Sequence, residues 1–158
     1  MESQSDKPNK PAAGPKLPPY GPSITNEQAK KVATAALEPA RANKWTMVVA
    51  IVDTGGYLVY LEKLDQTQVG SVDVAIAKAK SAAIYKRPTK MFQERLARGG
   101  DGLLVLRLKD AIPVEGGVPI IADGKLIGAL GISGGSSAED EACAEAGAAA
   151  LSPGSDFG

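Results

Sequence analysis

Hydrophobic and polar positions along this chain follow two rhythms. From Thr25 the apolar spacing is helical, with Ala29, Val32, Ala33, Ala36 and Leu37 on one face. Thr25 is the expected N-cap, and Gln28, three residues on, completes a capping box. Pro39 removes an N–H donor, so the helix either kinks or ends near it, although Ala40-Arg41-Ala42-Asn43 still favours helix. Residues 45–52 are an apolar, β-branched run, as in a strand buried on both faces. Asp53-Thr54-Gly55-Gly56 turns the chain, with Asp53 expected to bond its own loop amides. Residues 57–63 then return as the second strand of a β-hairpin.

The helical rhythm resumes over residues 71–85. Val72, Ala75, Ile76, Ala79, Ala82 and Ala83 form one broad small-residue face, with Lys78 and Lys80 falling between. Pro88 stops this helix, residues 90–98 form a short amphipathic one, and Gly99 to Gly102 is a loop. Residues 103–108 are expected to form a short strand. Two further strands, 116–122 and 125–132, flank Asp123-Gly124, a strong hairpin signal. Ser136 or Ser137 caps a last helix over 138–151, whose first turn carries Glu139, Asp140 and Glu141 as the helix dipole favours. This order predicts an α/β protein of the α+β kind, an antiparallel sheet with helices packed on it. Residues 1–16, rich in Pro, Ser, Lys and Asn, read as a disordered tail; 17–151 form the domain, and 152–158 fray. The stretch Leu17-Pro18-Pro19-Tyr20-Gly21-Pro22 is stiffer, and is able to lie across a neighbouring subunit.

Composition narrows the chemistry. The 158 residues contain 18 Lys+Arg, 18 Asp+Glu, one Cys and no His. Balanced charge argues against nucleic acid as a partner. One cysteine excludes an intramolecular disulfide framework and a four-thiolate metal site within the chain. Without histidine there is no Ser-His-Asp triad, no HExxH zinc site and no imidazole base. No apolar run approaches the roughly 18 residues of a membrane span, and no signal-like apolar core is present, so no membrane partner is expected and the cytoplasm is the expected location.

Charge is unevenly distributed. Nine Lys/Arg lie within residues 78–109 against Glu94 and Asp101, and none lies beyond residue 125. This pattern suits solvated helix faces and subunit salt bridges, or a site for a carboxylate-bearing small molecule. For the second, Arg87 at a helix end and Lys78 on the small-residue helix are the candidates, since a guanidinium fork binds both carboxylate oxygens. Glu115, where a loop enters a strand, is the candidate proton-handling carboxylate. Gly116, Gly117 and Val118 beside it, with Ser133, complete the ligand-binding set. Tyr60 and Tyr85 are candidate proton donors or iron ligands, with core or interface packing as the alternative. Gly131-Ile132-Ser133-Gly134-Gly135-Ser136-Ser137 either cradles an anion at the helix N-terminus or simply turns the chain. Cys143 reads as a buried, inert thiol.

Three strings together carry a family resemblance: AIVDTGGYLVYLEKLDQTQVGSVDVAIAKAKSAA, RPTKMF, and PVEGGVPIIADGKLIGALGISGGSSAEDEACAEAGAAAL. They resemble the GlcG/HbpS-type haem-binding-protein family, which includes the C-terminal domain of PduO-type proteins, and the likeness spans Tyr20 to Leu151. It implies a profilin-like antiparallel sheet flanked by helices and a symmetric homo-oligomer, from tetramer to octamer. It implies haem as the nominal cofactor, bound in some members between subunits. Some relatives use a His ligand, which this chain lacks, leaving Tyr, Lys, Met, Cys or an oxygen ligand. A further relative, hydroxylaminobenzoate lyase, converts 4-hydroxylaminobenzoate to protocatechuate and ammonium without a cofactor. In that alternative Arg87 or Lys78 holds the carboxylate and Glu115 or a Tyr moves the proton. A structural, operon-associated assembly without ligand is the third alternative.

Overall fold

A computed structural model describes residues 16–151; the tail expected over 1–16 and the fraying expected over 152–158 lie almost wholly outside them. The first helix, α1 (Asn26–Asn43), starts at Thr25 with the capping box in place: Gln28 N–H donates to Thr25 Oγ1, and Thr25 N–H to Gln28 Oε1. Pro39 neither ends nor caps it. The helix runs on to Asn43, whose Nδ2 donates to the Pro39 carbonyl, and stops at Lys44 in the left-handed region.

Strands β1 (Val48–Val52) and β2 (Leu58–Lys63) form the expected hairpin. Asp53 Oδ1 accepts the N–H groups of Gly55 and Tyr57, which fixes the turn. Helices α2 (Ser71–Tyr85) and α3 (Thr89–Ala97) follow. After a 3-10 helix come β3 (Gly117–Ala122), β4 (Lys125–Ser133) and α4 (Ser137–Ala149), the last capped by Ser136. All strand pairs are antiparallel, in the order β2-β1-β4-β3.

Helices cover both faces of the sheet. Val48, Ala50 and Val52 pack with the alanines of α2, whereas Val49 and Ile51 pack with α1 and α4. Every residue of β1 is therefore buried, which explains its continuous apolar run. Helix α2 rests directly on the sheet. A Cβ on Gly131 would run into the Ala75 carbonyl, and one on Gly117, its partner across the β3–β4 ladder, would run into the Lys78 carbonyl.

Two expectations need correction. Residues 103–108 form no strand; Gly100–Arg107 is a 3-10 helix. Positive φ at Gly99 and Gly100 turns the chain back, and Gly102, pressed on the Arg95 carbonyl, holds the segment against α3 instead of a sheet edge. Only Val105 of its large side chains is buried, while Leu103, Leu104 and Leu106 stay exposed. The second correction concerns Lys78. It lies on the buried stripe of α2, not between the apolar positions. The stretch from Pro19 to Gly21 pairs with Leu126 of its own chain. Tyr20 Oη donates to the Ala83 carbonyl, and Lys86 Nζ sits 4.4 Å from its ring centroid.

Candidate functional site

Where the loop before β3 meets α2, α3 and the start of α4, polar groups gather beneath the surface. Gly116 has φ +119° and a carbonyl that accepts the Ile132 N–H. A Cβ there would stand 2.7 Å from the Ile132 carbonyl and 2.9 Å from Lys78 Nζ. Only glycine lets the loop pass so close to the buried ammonium. Gly117 N–H donates to Thr89 Oγ1 of the buried α3 N-terminus at 2.9 Å, and Glu115 N–H to Gln93 Oε1 at 2.8 Å. The loop is thus held by α3 on one side and by β4 on the other.

Lys78 is 1 % exposed, and its Nζ donates to the Ile132 carbonyl at 2.8 Å and to Asp140 Oδ2 at 3.1 Å. The other oxygen of Asp140 accepts the Gly135 N–H. Burial pushes the Asp140 carboxyl above its ordinary value, while the Lys78 ammonium and the Gly135 N–H pull it back. Glu141 is the next residue along α4. Its carboxyl is raised by burial first, then by the charges of Glu115 and Glu145, with Lys90 and Gly116 opposing. Its Oε2 is sheltered from solvent and meets no donor.

The structure brings six sequence candidates together here: Lys78, Glu115, Gly116, Gly117, Val118 and Ser133. Ser133 is buried at the end of β4, opposite Val48. Lys78 already has its partners within the chain. Arg87 and Tyr85 sit nearby at the α2–α3 corner. Arg87 Nε donates to the Tyr85 carbonyl, its guanidinium carbon is 5.7 Å from the Phe92 ring centroid, and Tyr85 meets that ring edge-on. Tyr60 is not part of this group. It lies on β2, the opposite edge of the sheet from β3, roughly 14 Å away by strand spacing. It donates to Glu62, which together with burial raises its phenol.

At the glycine-rich turn before α4, three amide donors are bonded within the chain. Gly135 N–H goes to Asp140, Ser136 N–H to Glu139 Oε1 and Glu139 N–H to Ser136 Oγ. These bonds suit the tight-turn reading. Asp140, Glu141, Thr89 and Gln93 belong to the site and were not singled out by sequence. A signal existed for one of them: Asp140, Cys143, Ala144 and Gly147 form the buried stripe of α4 at helical spacing.

The chain matches the family described as haem degrading protein HbpS-like over residues 24–149. It belongs to the HbpS-like family. Protein GlcG of Escherichia coli strain K12 is 33% identical over 110 residues, 70% of this chain and 81% of GlcG. A double mutant of Streptomyces reticuli HbpS is 30% identical with a TM-score of 0.75, covering 90% of this chain and 99% of that one. The PduOC:heme complex is 29% identical with a TM-score of 0.73, covering 82% and 95%. The α+β architecture agrees with these HbpS-like structures.

The donor set of this chain is narrow. The sequence has no histidine, and Cys143 is buried with its thiol pushed up to about 11, chiefly by burial. The site itself presents carboxylates, backbone amides and an ammonium already bonded twice. These residues do not fit axial ligation of haem iron by a nitrogen or sulfur atom of the site. Among the described residues no helix is long and apolar enough to cross a membrane.

Proposed function

We propose that this protein is an oligomeric small-ligand protein, with haem as the ligand to test first, bound where the run up to Glu115 meets a second subunit. One observation carries the reading. Leu103, Leu104, Leu106, Leu108 and Val114 are all exposed on the stretch that leads into Glu115-Gly116-Gly117. So much adjacent exposed apolar surface is uncommon on a monomer and suits a flat apolar ligand edge or another subunit. A haem would be held there by its ring and its propionates, not by a histidine bond to iron. The relation to the PduOC:heme complex supports haem as the ligand class. Arg87 and Lys90 are the cations of this region for a carboxylate.

Titration of purified protein with hemin is expected to give a saturable change in its main absorption band. Leu104→Glu together with Leu106→Glu should abolish it. A linear, non-saturating response of the wild type overturns the reading.

A second reading, a lyase acting on 4-hydroxylaminobenzoate, is favoured by the two neighbouring carboxyls Glu115 and Glu141. Cleaving the N–O bond needs a proton on the departing oxygen, and adding water to the ring needs one removed. Ammonium release above background, lost in Glu115→Gln, would support it; background release by the wild type removes it.

A further inference from the structure

Two outward surfaces of this chain carry opposite charges that the chain does not match with each other. The first is the 3-10 helix Gly100–Arg107. At three residues per turn, Leu103 stacks on Leu106 and Leu104 on Arg107, while Val105 turns inward. Leu103, Leu104 and Leu106 are 54 %, 63 % and 63 % exposed. Arg107 and Lys109, also exposed, alternate with Leu106 and Leu108 along the chain.

The second surface is the outer face of α4. Asp140, Cys143, Ala144 and Gly147 bury one stripe of that helix. Ala138, Glu141, Ala142, Glu145 and Ala149 follow at helical spacing on the opposite side, where all but the half-buried Glu141 are exposed. Its charges are negative only, because no Lys or Arg lies beyond residue 125. The three ion pairs among the described residues, Arg41–Glu62, Lys78–Asp140 and Lys80–Asp110, use none of Arg107, Lys109, Glu141 and Glu145.

We infer that these two surfaces meet between copies of this chain. The leucines of one protomer's 3-10 helix seat on the alanine face of its partner's α4, with Arg107 and Lys109 set against Glu141 and Glu145 across the contact. This rests on the reading of the leucine stretch as a subunit contact, and names the face that covers it. An apolar centre with charges at its rim is the ordinary build of a protein interface, and the charges set its register. Pairing the 3-10 helix with its own copy brings Arg107 and Lys109 against like charges. Pairing it with α4 joins opposite ones.

Charge exchange on the full chain tests this, with particle mass read by light scattering after size exclusion and folding by circular dichroism. Arg107→Glu with Lys109→Glu, and separately Glu141→Lys with Glu145→Lys, are each expected to weaken assembly about tenfold or more by setting like charges together. An equimolar mixture of the two variants should assemble again, since each reversed surface then finds its opposite. Glu145→Lys alone, at an exposed position, should also weaken assembly, and serves if reversal at the half-buried Glu141 unfolds the chain. Wild-type assembly by Glu145→Lys, alongside dissociation by Leu103, Leu104 and Leu106 all changed to Ser, overturns the inference and leaves the leucine stretch a contact with some other face. Reversed variants that dissociate and do not recover on mixing overturn it as well. A monomeric wild type overturns both this and the subunit-contact reading, and its binding to anionic vesicles would then give the leucines to a lipid surface.

Discussion

Lys78 Nζ and Asp140 Oδ2 meet 3.1 Å apart, with side chains only 2 % and 7 % exposed. The pair joins α2, on one face of the sheet, to the first turns of α4, and the lysine also holds the Ile132 carbonyl at the end of β4. Two charges on helices from opposite faces of the sheet are thereby taken out of water together. Removing one partner leaves the other buried and uncompensated.

Lys78→Ala is therefore expected to destabilise the protein by about 3–5 kcal/mol. The double variant Lys78→Met with Asp140→Leu should recover much of that loss, because apolar residues of similar size need no partner. Urea midpoints of the single and double variants measure both effects.

Gly131→Ala should prove more damaging than a surface change, since the new methyl would collide with the Ala75 carbonyl where α2 lies on β4. Overpacking at such a contact costs about 1–3 kcal/mol. Gly124→Ala is the comparison: its Cβ would meet open space, and only the positive φ of +73° opposes it. Its penalty should stay near 1 kcal/mol or below. Denaturant melts of the two variants are expected to rank them in that order.

Replacing Glu141 by Gln should stabilise the protein at pH 7 by less than about 1 kcal/mol, as befits a group still partly open to solvent. Its folded-state carboxyl is raised, so the fold binds this proton more tightly than the unfolded chain does. The associated stability is full below the ordinary glutamate value and is lost as pH rises through the folded-state value. Wild-type stability should thus fall over that window more steeply than that of the variant. Urea midpoints measured across the range read the difference in slope.

Cys143 should resist thiol reagents in the folded state. Its thiol is buried and pushed up to about 11, so almost no thiolate is present near pH 8. Labelling with a maleimide is expected to be slow in native buffer and rapid in denaturing urea.

Changing Leu103, Leu104 and Leu106 together to Ser should leave the fold intact while altering assembly. These side chains are exposed, so each change is expected to move stability by no more than about 0.5 kcal/mol. Light scattering after size exclusion should show a smaller particle than the wild type, with an unchanged circular dichroism spectrum.

Local patterns were legible where local physics decides them. The Thr25–Gln28 box, the Asp53 turn and the Asp123-Gly124 hairpin need only neighbouring residues, and each stands where the sequence placed it, while of the two serines offered as the last cap the structure uses Ser136. The buried β1 followed from an unbroken apolar run. Apolar content misled at residues 103–108, because leucines on an exposed 3-10 helix and leucines in a strand look alike without knowledge of what they touch.

The site divides in the same way. Glu115, Gly116 and Gly117 stand out from sequence because a carboxylate beside a glycine pair at a strand entry is a local feature. That Lys78 meets Asp140, 62 residues away, depends on how α2 and α4 pack across one sheet. Sequence by itself determined the elements, the turns and the absence of imidazole chemistry. Tertiary structure alone decided which charges lose their water, which carboxyls become neighbours and which leucines remain uncovered. Those properties arise from distances between segments, and no spacing along the chain encodes them.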